Sequence, residues 1–586
     1  MIDRQTGELM GYPSIDKPWM KYYSEKDLKI EAPKCTVYQN IYDRNCKYLS
    51  EIAILFYGNK ISYGKLFAET EKTAKALRNI GVKKGDCVTL CTSGLPEAFY
   101  IVLACSRIGA IANFINPLFE KEQMVARIKE AESKYVFVMD EMYSYIEMAL
   151  PHTCVENVVL IPATNSFFAP LNTILYQKSK TKKILAERTN AQLLYSTWNQ
   201  FIKAGKNYLG ALDVAYEKDT PMIMVYSSGS TGASKGILLT NDGILATNYY
   251  RNIPSDPVKR QKTFLQMIPI WFSTGIVISV VIPLINGSTV IPELKFSKET
   301  FCRDLHKYKP NMTLTATSLW LYAVESIVLS KVDLSRMECP ITGGEKVYGE
   351  DEQTINAWLK KHGCRKNIYK GYGMCELGGT VTSTSGAMNY KSKKCGTGYP
   401  LQNVIVSAFE INTDKELKYG QHGEIRVCSP ARMKGYYKNP QATNEFFKTD
   451  AQGRVWGCTG DIGYVDEDGE VFVLGRVTDH YKRDDGKIVY LFDIEERVFD
   501  ISEVNQCKVV DAVIEGKDRL VLHLVLREGV KNKDEIVGRV FDNLKKTLPE
   551  YMVPEFYKIR ESMPVHSNGK RDVSALKCDL KDLKRP

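Results

Sequence analysis

Apolar positions in the first part of the chain recur alternately with the spacing of a helix and as short continuous runs. A helical pattern over 61–80 leads through the turn 81–86 into the apolar run Cys87–Cys91. The order repeats downstream and resumes from Pro221 to about Tyr372. Helices that alternate with strands pack on the faces of parallel sheets. The sequence therefore predicts an α/β fold of layered sheets, with further helices over Pro96–Ile108 and 121–131 and further strands at Tyr135–Met139, Met222–Tyr226 and Ser288–Ile291.

Three stretches depart from this alternation. Residues 161–215 are polar and irregular, which predicts an insertion. The longest apolar run, Ile276–Ile285, is too short to span a membrane and predicts a buried strand or helix. From Gly423 short strands and turns take over, and a helix is predicted over 533–547. A polar turn and a change in charge balance near residue 476 predict a large N-terminal domain of layered α/β sheets, residues 1–476, and a small α+β C-terminal domain, residues 477–586.

Composition narrows the class of protein. The 586 residues are 44% hydrophobic and 25% charged, which is typical of a globular protein of more than one domain. The start MIDRQTGELM lacks the apolar core of a secretory signal, so we expect a cytoplasmic protein. The 15 cysteines form no CxxC pair, which favours reduced packing residues over disulfides or a zinc site. The charge of +10 is densest at Lys178–Lys183, where no aromatic side chain is interleaved. A solvated face is therefore favoured over nucleic-acid binding, while an acidic protein or a phosphate-bearing ligand stays open.

One loop carries the strongest chemical signal. The segment Tyr226-Ser-Ser-Gly-Ser-Thr-Gly-Ala-Ser-Lys-Gly236 lies between an apolar strand and a stretch that could be helical. Its small residues let backbone N–H groups approach an anion, its hydroxyls add donors and Lys235 adds a positive charge. The segment therefore predicts a polyphosphate-binding loop rather than a flexible linker. The Walker pattern needs Lys followed by Ser or Thr, whereas Lys235 precedes Gly236, so a P-loop phosphotransferase that releases ADP is disfavoured.

This loop resembles the signature of the adenylate-forming superfamily, which comprises acyl-CoA synthetases, peptide-synthetase adenylation domains and luciferases. Further segments similar to that family's motifs follow in its order and near its spacing, and together they cover about residues 50–576: Gly343-Gly344-Glu345, Tyr372-Gly-Met-Cys-Glu376, Gly435-Tyr436 with Pro440, Thr459-Gly-Asp461, Gly475-Arg476, Lys482 and Asn568-Gly-Lys570. The segments Leu548–Pro554 and Asn568–Asp572 are similar to the peptide-synthetase branch in particular. The resemblance implies ATP and Mg²⁺ as cofactors and a carboxylic acid as substrate.

The resemblance also implies roles for residues whose chemistry suits them. Glu376 would bind Mg²⁺, which prefers oxygen ligands, unless it is an exposed loop acid. Tyr372 would stack on adenine unless it is a core aromatic. Asp461 would accept hydrogen bonds from both ribose hydroxyls, with Arg476 as a fixed cation nearby. Lys235 would contact the β- and γ-phosphates together with Ser227, Ser228, Gly229, Ser230, Thr231 and Gly232, and the remaining nucleotide-binding positions would be Gly343, Gly344, Glu345, Gly373 and Cys375.

Two lysines and a hinge complete the implied set. Lys570 would bridge the acyl carboxylate and the α-phosphate during adenylation, although a lysine in a polar tail is usually solvated. In the family the C-terminal domain is mobile and swings about a hinge two residues after the Gly-Arg arginine, which is Thr478 here. Lys482 would belong to the face used in thioester formation. The loop after Lys482 is one residue longer than the family's pattern, and Leu491 replaces a proline, so the accepting thiol stays open.

The acid pocket is assigned to Trp271, Phe272 and Ser273. Amino-acid-activating relatives carry an aspartate at the position of Ser273, and burying an ammonium without a carboxylate partner is costly. We therefore predict an aryl or aliphatic carboxylic acid without an α-amino group, bound against Trp271 and Phe272, although both rings could also be ordinary core packing. Cys375 stands where a threonine is usual, which exchanges a hydroxyl for a weak thiol donor.

The sequence thus predicts an AMP-forming acid–thiol ligase. Acid and ATP would give an acyl-adenylate and pyrophosphate, and a thiol would then displace AMP. That thiol would belong to coenzyme A or to the phosphopantetheine of a carrier protein, which we expect to be a separate chain because no carrier domain follows Pro586. Two alternatives stay open: a stand-alone adenylation enzyme for an amino acid, and a non-catalytic relative that binds ATP without releasing pyrophosphate.

Overall fold

The structure is a computed structural model, and it describes residues 10–168, 170–176, 179–187, 193–227, 234–250, 259–345, 347, 349–384, 396–483, 488–527, 529–564 and 572–586. Within these ranges the strands form two large sheets, a smaller antiparallel sheet, a hairpin and a three-stranded sheet. Helices pack against the sheets to form layers. The predicted α/β fold of layered sheets is confirmed.

The first large sheet joins strands from distant parts of the chain. In its centre Thr263–Gln266 lies parallel between Thr289–Pro292 and Met312–Thr315. Parallel strands bring their carboxyl ends to one edge, which is where ligands bind in open α/β sheets. In spatial order its strands are Tyr399–Pro400, Thr382–Ser383, Tyr369–Tyr372, Cys339–Thr342, Met312–Thr315, Thr263–Gln266, Thr289–Pro292, Ile52–Phe56 and Asn59–Ser62.

The second large sheet is also mainly parallel, but the phosphate-loop motif lies in an antiparallel part of it. Pro221–Tyr226 pairs in parallel with Ile111–Phe114 and antiparallel with Gly236–Thr240. The stretch that could be helical after the loop is therefore a strand, because its apolar residues are buried in pairing with Pro221–Tyr226, and the helix starts only at Asn241. In spatial order the strands are Gly435–Tyr436, Gly236–Thr240, Pro221–Tyr226, Ile111–Phe114, Cys87–Cys91, Tyr135–Met139, Asn157–Ile161 and Leu194–Thr197.

The expectation that residues 161–215 are irregular is wrong. Within this segment, Leu194–Thr197 extends the second sheet parallel to Asn157–Ile161. The helix Trp198–Ala204 then buries Trp198 and Phe201, whose rings pack against Phe137. Two aromatic side chains are enough to bury one face of this helix. The segment therefore contains an edge strand and a packed helix although its overall composition is polar.

The run Ile276–Ile285 is helical, which settles the choice between strand and helix. It forms a π-helix over Thr274–Val281 and continues as the α-helix Ile282–Ile285. Its side chains are apolar on all sides because it is enclosed within the core. None of the helices in the described part of the chain is long and apolar enough to cross a membrane.

A five-stranded antiparallel sheet follows the first large sheet in the chain. Its strands are Ile405–Phe409, Gly423–Cys428, Phe447–Thr449, Val455–Val465 and Val471–Arg476. The last two strands and the turn between them are called the 455–476 hairpin below. Its register places Asp461 opposite Arg476 at one end and Val465 opposite Val471 next to the turn.

The residues after the 455–476 hairpin build a unit with apolar clusters of its own. Val509, Leu522 and Phe541 belong to one such cluster. The unit contains the short hairpin His480–Lys482 with Ile488–Tyr490, the three-stranded sheet Val504–Ile514, Lys517–Leu526 and Phe556–Arg560, and the helices Leu491–Val498, Lys533–Thr547 and Val573–Cys578.

The helices around the sheets start and end where the sequence marks them. Pro96 occupies the first turn of Pro96–Ile108, and Gly109 ends that helix at a φ of +75°, which favours glycine. The other α-helices in the described residues before 477 are Pro13–Asp16, Glu25–Leu28, Val37–Asn45, Tyr63–Asn79, Lys121–Glu130, Tyr143–Ile146, Leu171–Tyr176, Lys180–Glu187, Trp198–Ala204, Asn241–Tyr250, Ile282–Ile285, Lys298–Tyr308, Thr317–Glu325, Gly349–Lys361 and Pro440–Phe446.

Candidate nucleotide and acid site

The carboxyl edge of the first large sheet gathers several of the residues selected from the sequence. Thr342 and Tyr372 end neighbouring parallel strands, so the residues that follow them lie at the same edge. The 455–476 hairpin reaches this edge through a contact between Asp461 and Tyr372. Sheet and hairpin together therefore form one site.

Asp461 is the centre of the first cluster. Its Oδ2 accepts a hydrogen bond from the Tyr372 hydroxyl at 2.5 Å, and its Oδ1 lies 2.8 Å from Arg476 Nε. Burial and the Asp461 carboxylate hold the pKa of Tyr372 well above its usual value, so its hydroxyl stays a donor. The result is an acceptor-only anion, 6% exposed and held between a tyrosine hydroxyl and a guanidinium, which is suited to accept hydrogen bonds from a sugar.

Glu376 forms a second anionic point and is not an exposed loop acid. It is 6% exposed, and its Oε1 accepts a hydrogen bond from Tyr436 at 3.0 Å. Burial raises the pKa of Glu376, while the Tyr436 hydroxyl and the charges of Arg476 and Lys235 oppose that rise. Lys235 Nζ lies 4.9 Å from the centre of the Tyr436 ring, a cation–π distance. Tyr436 thus touches both the anion and the cation.

The phosphate-loop motif is described at its two ends. The Ser227 N–H donates to the carbonyl of Lys235 at 3.0 Å, and the Lys235 N–H donates to the Ser227 hydroxyl at 3.0 Å. These bonds extend the strand pairing by one step and hold Lys235 next to Tyr436. Ser228, Gly229, Ser230, Thr231 and Gly232 lie outside the described residues.

The Gly343-Gly344-Glu345 segment follows the strand next to Tyr372. Gly344 has a φ of +86°, a left-handed conformation that favours glycine. Glu345 accepts a hydrogen bond from the Ser318 N–H at 2.9 Å, so its carboxylate caps the start of the helix Thr317–Glu325. Gly373 faces the carbonyl of Gly379 so closely that a Cβ would lie 2.5 Å from that oxygen. A side chain is therefore excluded by close backbone at Gly373, whereas Gly344 is required by its backbone conformation.

Of the residues selected for the acid pocket, Ser273 contacts the residue before Glu376, whereas Trp271 and Phe272 pack in the hydrophobic core. Trp271 is buried, and its ring packs edge-on against Phe296, 5.9 Å between centres. Ser273 is 2% exposed, and its hydroxyl donates to Cys375 Sγ at 2.8 Å. The Ser273 hydroxyl therefore joins the acid-pocket motif directly to the motif that carries Glu376.

A cavity of about 10 Å³, room for roughly one water molecule, is lined in part by Ser273 but not by Trp271 or Phe272. It runs between the helices Asn241–Tyr250 and Thr274–Val281 toward Ala431, and Thr247 and Gly378 form part of its wall. A Cβ at Gly378 would lie 2.6 Å from the Ala431 Cβ, so this glycine keeps the wall clear. Each residue that lines the cavity is described, and all are uncharged.

The structure describes only part of the set of site residues predicted in the C-terminal region. Thr478 is exposed in the turn after the 455–476 hairpin, where the Asp479 N–H donates to the carbonyl of Arg476 at 2.9 Å. Lys482 ends the strand His480–Lys482, but its side chain is outside the described part of the structure. Lys570 also lies outside the described residues.

Tyr436 is the functional candidate that sequence reasoning missed. Gly435-Tyr436 was identified as a family-like motif, yet no role was given to the tyrosine. Its position beside Glu376 and Lys235 depends on the pairing of Gly435–Tyr436 with Gly236–Thr240, two segments about 200 residues apart. Only a long-range pairing signal could have indicated it.

Glu376 is the residue in this site suited to Mg²⁺. Across the described residues no group of three or more His, Cys, Asp and Glu side chains is arranged to hold a metal ion. Magnesium in nucleotide sites is often held by one or two carboxylates together with the phosphates, so a single buried glutamate fits that use. The donor set around Asp461 and Lys235 likewise fits a nucleotide triphosphate.

Comparison with known proteins gives a consistent result. The family model described as AMP-binding enzyme matches residues 43–437. The chain is 27% identical over 409 residues to the probable 4-coumarate–CoA ligase 3 of Dictyostelium discoideum, covering 69% of this chain and 70% of that one. It is 23% identical to the long-chain-fatty-acid–CoA ligase of Bacillus subtilis, covering 94% and 96%.

Solved structures show the same fold. The chain is similar to ATP-bound MatB from Rhodopseudomonas palustris, with a TM-score of 0.76 and 21% identity over 94% of this chain and 99% of that one. It is similar to the anthranilate CoA ligase AuaEII in complex with anthranoyl-AMP, with a TM-score of 0.76 and 18% identity over 93% and 98%. At these identities the likeness establishes the fold alone.

Proposed function

This chain belongs to the AMP-binding enzyme family, and from that premise we propose that it is an AMP-forming ligase that joins a carboxylic acid to a thiol. In the first step a carboxylate oxygen bonds to the α-phosphorus of ATP and pyrophosphate leaves. In the second step a thiolate bonds to the acyl carbon and AMP leaves. The observation that carries the proposal is the pair of buried carboxylates, Asp461 and Glu376, each bonded to a tyrosine hydroxyl and flanked by Arg476 and Lys235.

In this proposal Asp461 receives the ribose hydroxyls and Tyr372 lies against adenine. Lys235 and the loop 227–232 contact the β- and γ-phosphates, and Arg476 adds charge compensation. Glu376 holds Mg²⁺, which when bound would neutralise phosphate charge. The remaining positions from the sequence, Gly343, Gly344, Glu345, Gly373 and Cys375, border the nucleotide through their backbone or lie beside it.

The acid is proposed to be an aryl or aliphatic monocarboxylate without an α-amino group. The side chains that surround Ser273 on the cavity side are uncharged, so they offer no partner to an ammonium group or a second carboxylate. The Ser273 hydroxyl is engaged with Cys375. Two relatives are named for acids of these two classes: 4-coumarate–CoA ligase for an aryl acid and long-chain-fatty-acid–CoA ligase for an aliphatic acid.

The domain division is proposed at residues 1–476 and 477–586, with Thr478 as the hinge. The exposure of Thr478 in a turn and the separate apolar clusters after residue 480 support this division. Lys570 is proposed for adenylation and Lys482 for the thioester face. The accepting thiol is coenzyme A in the first instance, with carrier-protein phosphopantetheine as the alternative.

The decisive experiment is acid-dependent release of pyrophosphate at fixed Mg-ATP, with hydroxylamine as trap. Aryl acids, fatty acids, malonate and amino acids form the panel, and the Asp461→Asn variant is the matched control. Release with one monocarboxylate class, abolished or strongly reduced in the variant, is the expected result. A best substrate with an α-amino group would contradict the assignment of the pocket. ATP binding without release for any acid would support the non-catalytic alternative.

A second assay separates the two acceptors. The acyl-adenylate formed from the best acid is offered to coenzyme A and to a phosphopantetheinylated carrier protein at equal concentration, and thioester is measured by mass. Faster transfer to coenzyme A is expected. Transfer to the carrier protein alone would make the carrier the physiological class of acceptor.

A further inference from the structure

An N-terminal segment crosses the molecule to the turn of the 455–476 hairpin. We call residues 13–23 the strap. Trp19 in the strap is fully buried. At one end Ser14 donates to Glu416 at 2.7 Å, and at the other Tyr23 donates to the carbonyl of Pro400 at 2.9 Å. The strap is therefore bound along its length to residues almost 400 positions away in sequence.

The strap and the hairpin meet at Asp468, in the turn of the hairpin. Lys21 Nζ lies 2.5 Å from Asp468 Oδ1, and the hydroxyls of Tyr22 and Tyr399 each donate to Oδ2 at 3.0 Å. The rings of Tyr22 and Tyr399 are 4.4 Å apart between centres. One carboxylate thus connects the strap, the hairpin turn and the edge strand of the first sheet.

Two further observations show how closely the turn is held. Gly469 has a φ of +91°, and a Cβ there would lie 2.8 Å from the backbone nitrogen of Trp19, so the turn touches the strap's main chain. Burial alone would raise the pKa of Asp468, but the hydrogen bonds from Lys21, Tyr399 and Tyr22 outweigh it and lower the pKa to about 2. The carboxylate is therefore ionised throughout the neutral range.

The opposite end of the same hairpin carries the ribose cluster. Asp461 and Arg476 face each other there, four strand residues from Val465, which is about 13 Å at ~3.3 Å per residue. The pairs run from Val465–Val471 to Asp461–Arg476 with one irregularity between Ile462 and Gly463, so the turn and Asp461 belong to one hydrogen-bonded ladder. Restraint applied at the turn therefore bears directly on where the Asp461 carboxylate lies.

We propose that the strap is a positioning element for the ribose-binding pair Asp461 and Arg476. The inference rests on the proposed function, because it assumes that Asp461 receives the ribose hydroxyls. Bonds from Lys21 and Tyr22 to Asp468 limit rotation of the hairpin about its pairing with Gly423–Cys428. A preorganised Asp461 then binds both hydroxyls without first being ordered by the nucleotide.

The test compares ATP with 2′-deoxy-ATP, because only the position of Asp461 should determine that preference. KM for both nucleotides, KM for the acid, and Tm are measured for the wild-type chain, Asp468→Ala and Tyr22→Phe. The matched control is Asp213→Ala, which breaks a two-bond pair with Arg107 at 2.8 and 3.0 Å far from the hairpin.

Asp468→Ala is expected to raise KM for ATP about fivefold, the effect of weakening one hydrogen bond, and to reduce the preference for ATP over 2′-deoxy-ATP about threefold. KM for the acid should stay unchanged. Tyr22→Phe should change KM for ATP and the preference for ATP over 2′-deoxy-ATP in the same directions, but by smaller factors. Asp213→Ala should change Tm alone.

An Asp468→Ala enzyme with a lowered Tm and the wild-type preference for ATP would show that the strap only stabilises the fold. If that variant does not fold, Tyr22→Phe, which keeps the ring, decides in the same way. Direct titration of the wild-type chain with ATP separates the two proposals. No binding there overturns the proposed function and the strap's role with it, whereas binding with an unchanged preference in the variants overturns the strap's role alone.

Discussion

The nucleotide side of the site and the acid pocket are neighbours built in opposite ways. On the proposed nucleotide side, carboxylates are held by hydrogen-bond donors: Asp461 by Tyr372 and Arg476, and Glu376 by Tyr436. In the proposed acid pocket the side chains around Ser273 are uncharged, and the Ser273 hydroxyl donates to the Cys375 sulfur. The two regions meet at the peptide bond between Cys375 and Glu376.

This difference separates what the family shares from what is individual to the chain. ATP is a constant ligand, so fixed charges prearranged for it suit every member of the family. The acid varies, and an uncharged cavity selects by shape and by the absence of partners. We therefore expect changes on the nucleotide side to slow every acid equally, and changes in the pocket to alter the ranking of acids.

Glu376→Gln should cause the largest loss. The substitution keeps the shape and the bond from Tyr436 but removes the charge proposed to hold Mg²⁺. We expect adenylation to fall about 100-fold, equivalent to about 3 kcal/mol at 1.36 kcal/mol per tenfold, with the same factor for every acid. Pyrophosphate release is the measurement. The control is Glu51→Gln, a glutamate paired with Arg260 away from the site. If adenylation fell for some acids and not for others, the separation between the nucleotide side and the acid pocket would be contradicted.

The raised pKa of Glu376 predicts that kcat/KM for Mg-ATP falls by up to about tenfold for each pH unit below that pKa. Because burial favours the neutral form, this carboxyl takes up a proton at a higher pH than an ordinary glutamate, and the protonated form is a poor magnesium ligand. We therefore expect kcat/KM for Mg-ATP to fall as pH is lowered through that raised pKa. This decrease on the acidic side of the pH profile should be absent in the Glu376→Gln variant. If the decrease persists in the variant, the titrating group is a residue other than Glu376.

Tyr372→Phe should have a smaller effect, confined to the nucleotide. The variant keeps the ring for adenine but loses the 2.5 Å bond to Asp461, leaving that buried carboxylate with Arg476. We expect KM for ATP to rise about tenfold, the effect of about 1.4 kcal/mol, with KM for the acid unchanged. Tyr399→Phe, which loses hydroxyl bonds at the strap, is the matched control and should change KM for ATP less. A change in the ranking of acids would contradict the separation of the two regions.

The sequence predicted the parts of the site that depend on local order and missed those that depend on long-range pairing. Alternation of helix and strand spacing indicated the layered sheets, and the order of motifs indicated Asp461 and Glu376. The strand after the phosphate loop was missed because Ile237–Thr240 suits a helix or a strand equally until Pro221–Tyr226 is there to pair with it. Tyr436 was missed for the same reason, since its contacts join segments far apart in the chain.

Cys375→Thr should have the smallest effect and gives the sharpest test of the boundary between the two regions. It restores the family's usual hydroxyl next to Glu376 and replaces the sulfur that accepts from Ser273. Because one neutral contact is exchanged for another, we expect the adenylation rate to change by only about twofold. KM for the acid should shift more than KM for ATP, since the Ser273 side of the contact faces the cavity. Cys46→Thr, at a helix end away from the site, is the control. If instead KM for ATP changed most, the Cys375–Ser273 contact would not couple the two regions, and Cys375 would act on the nucleotide side alone.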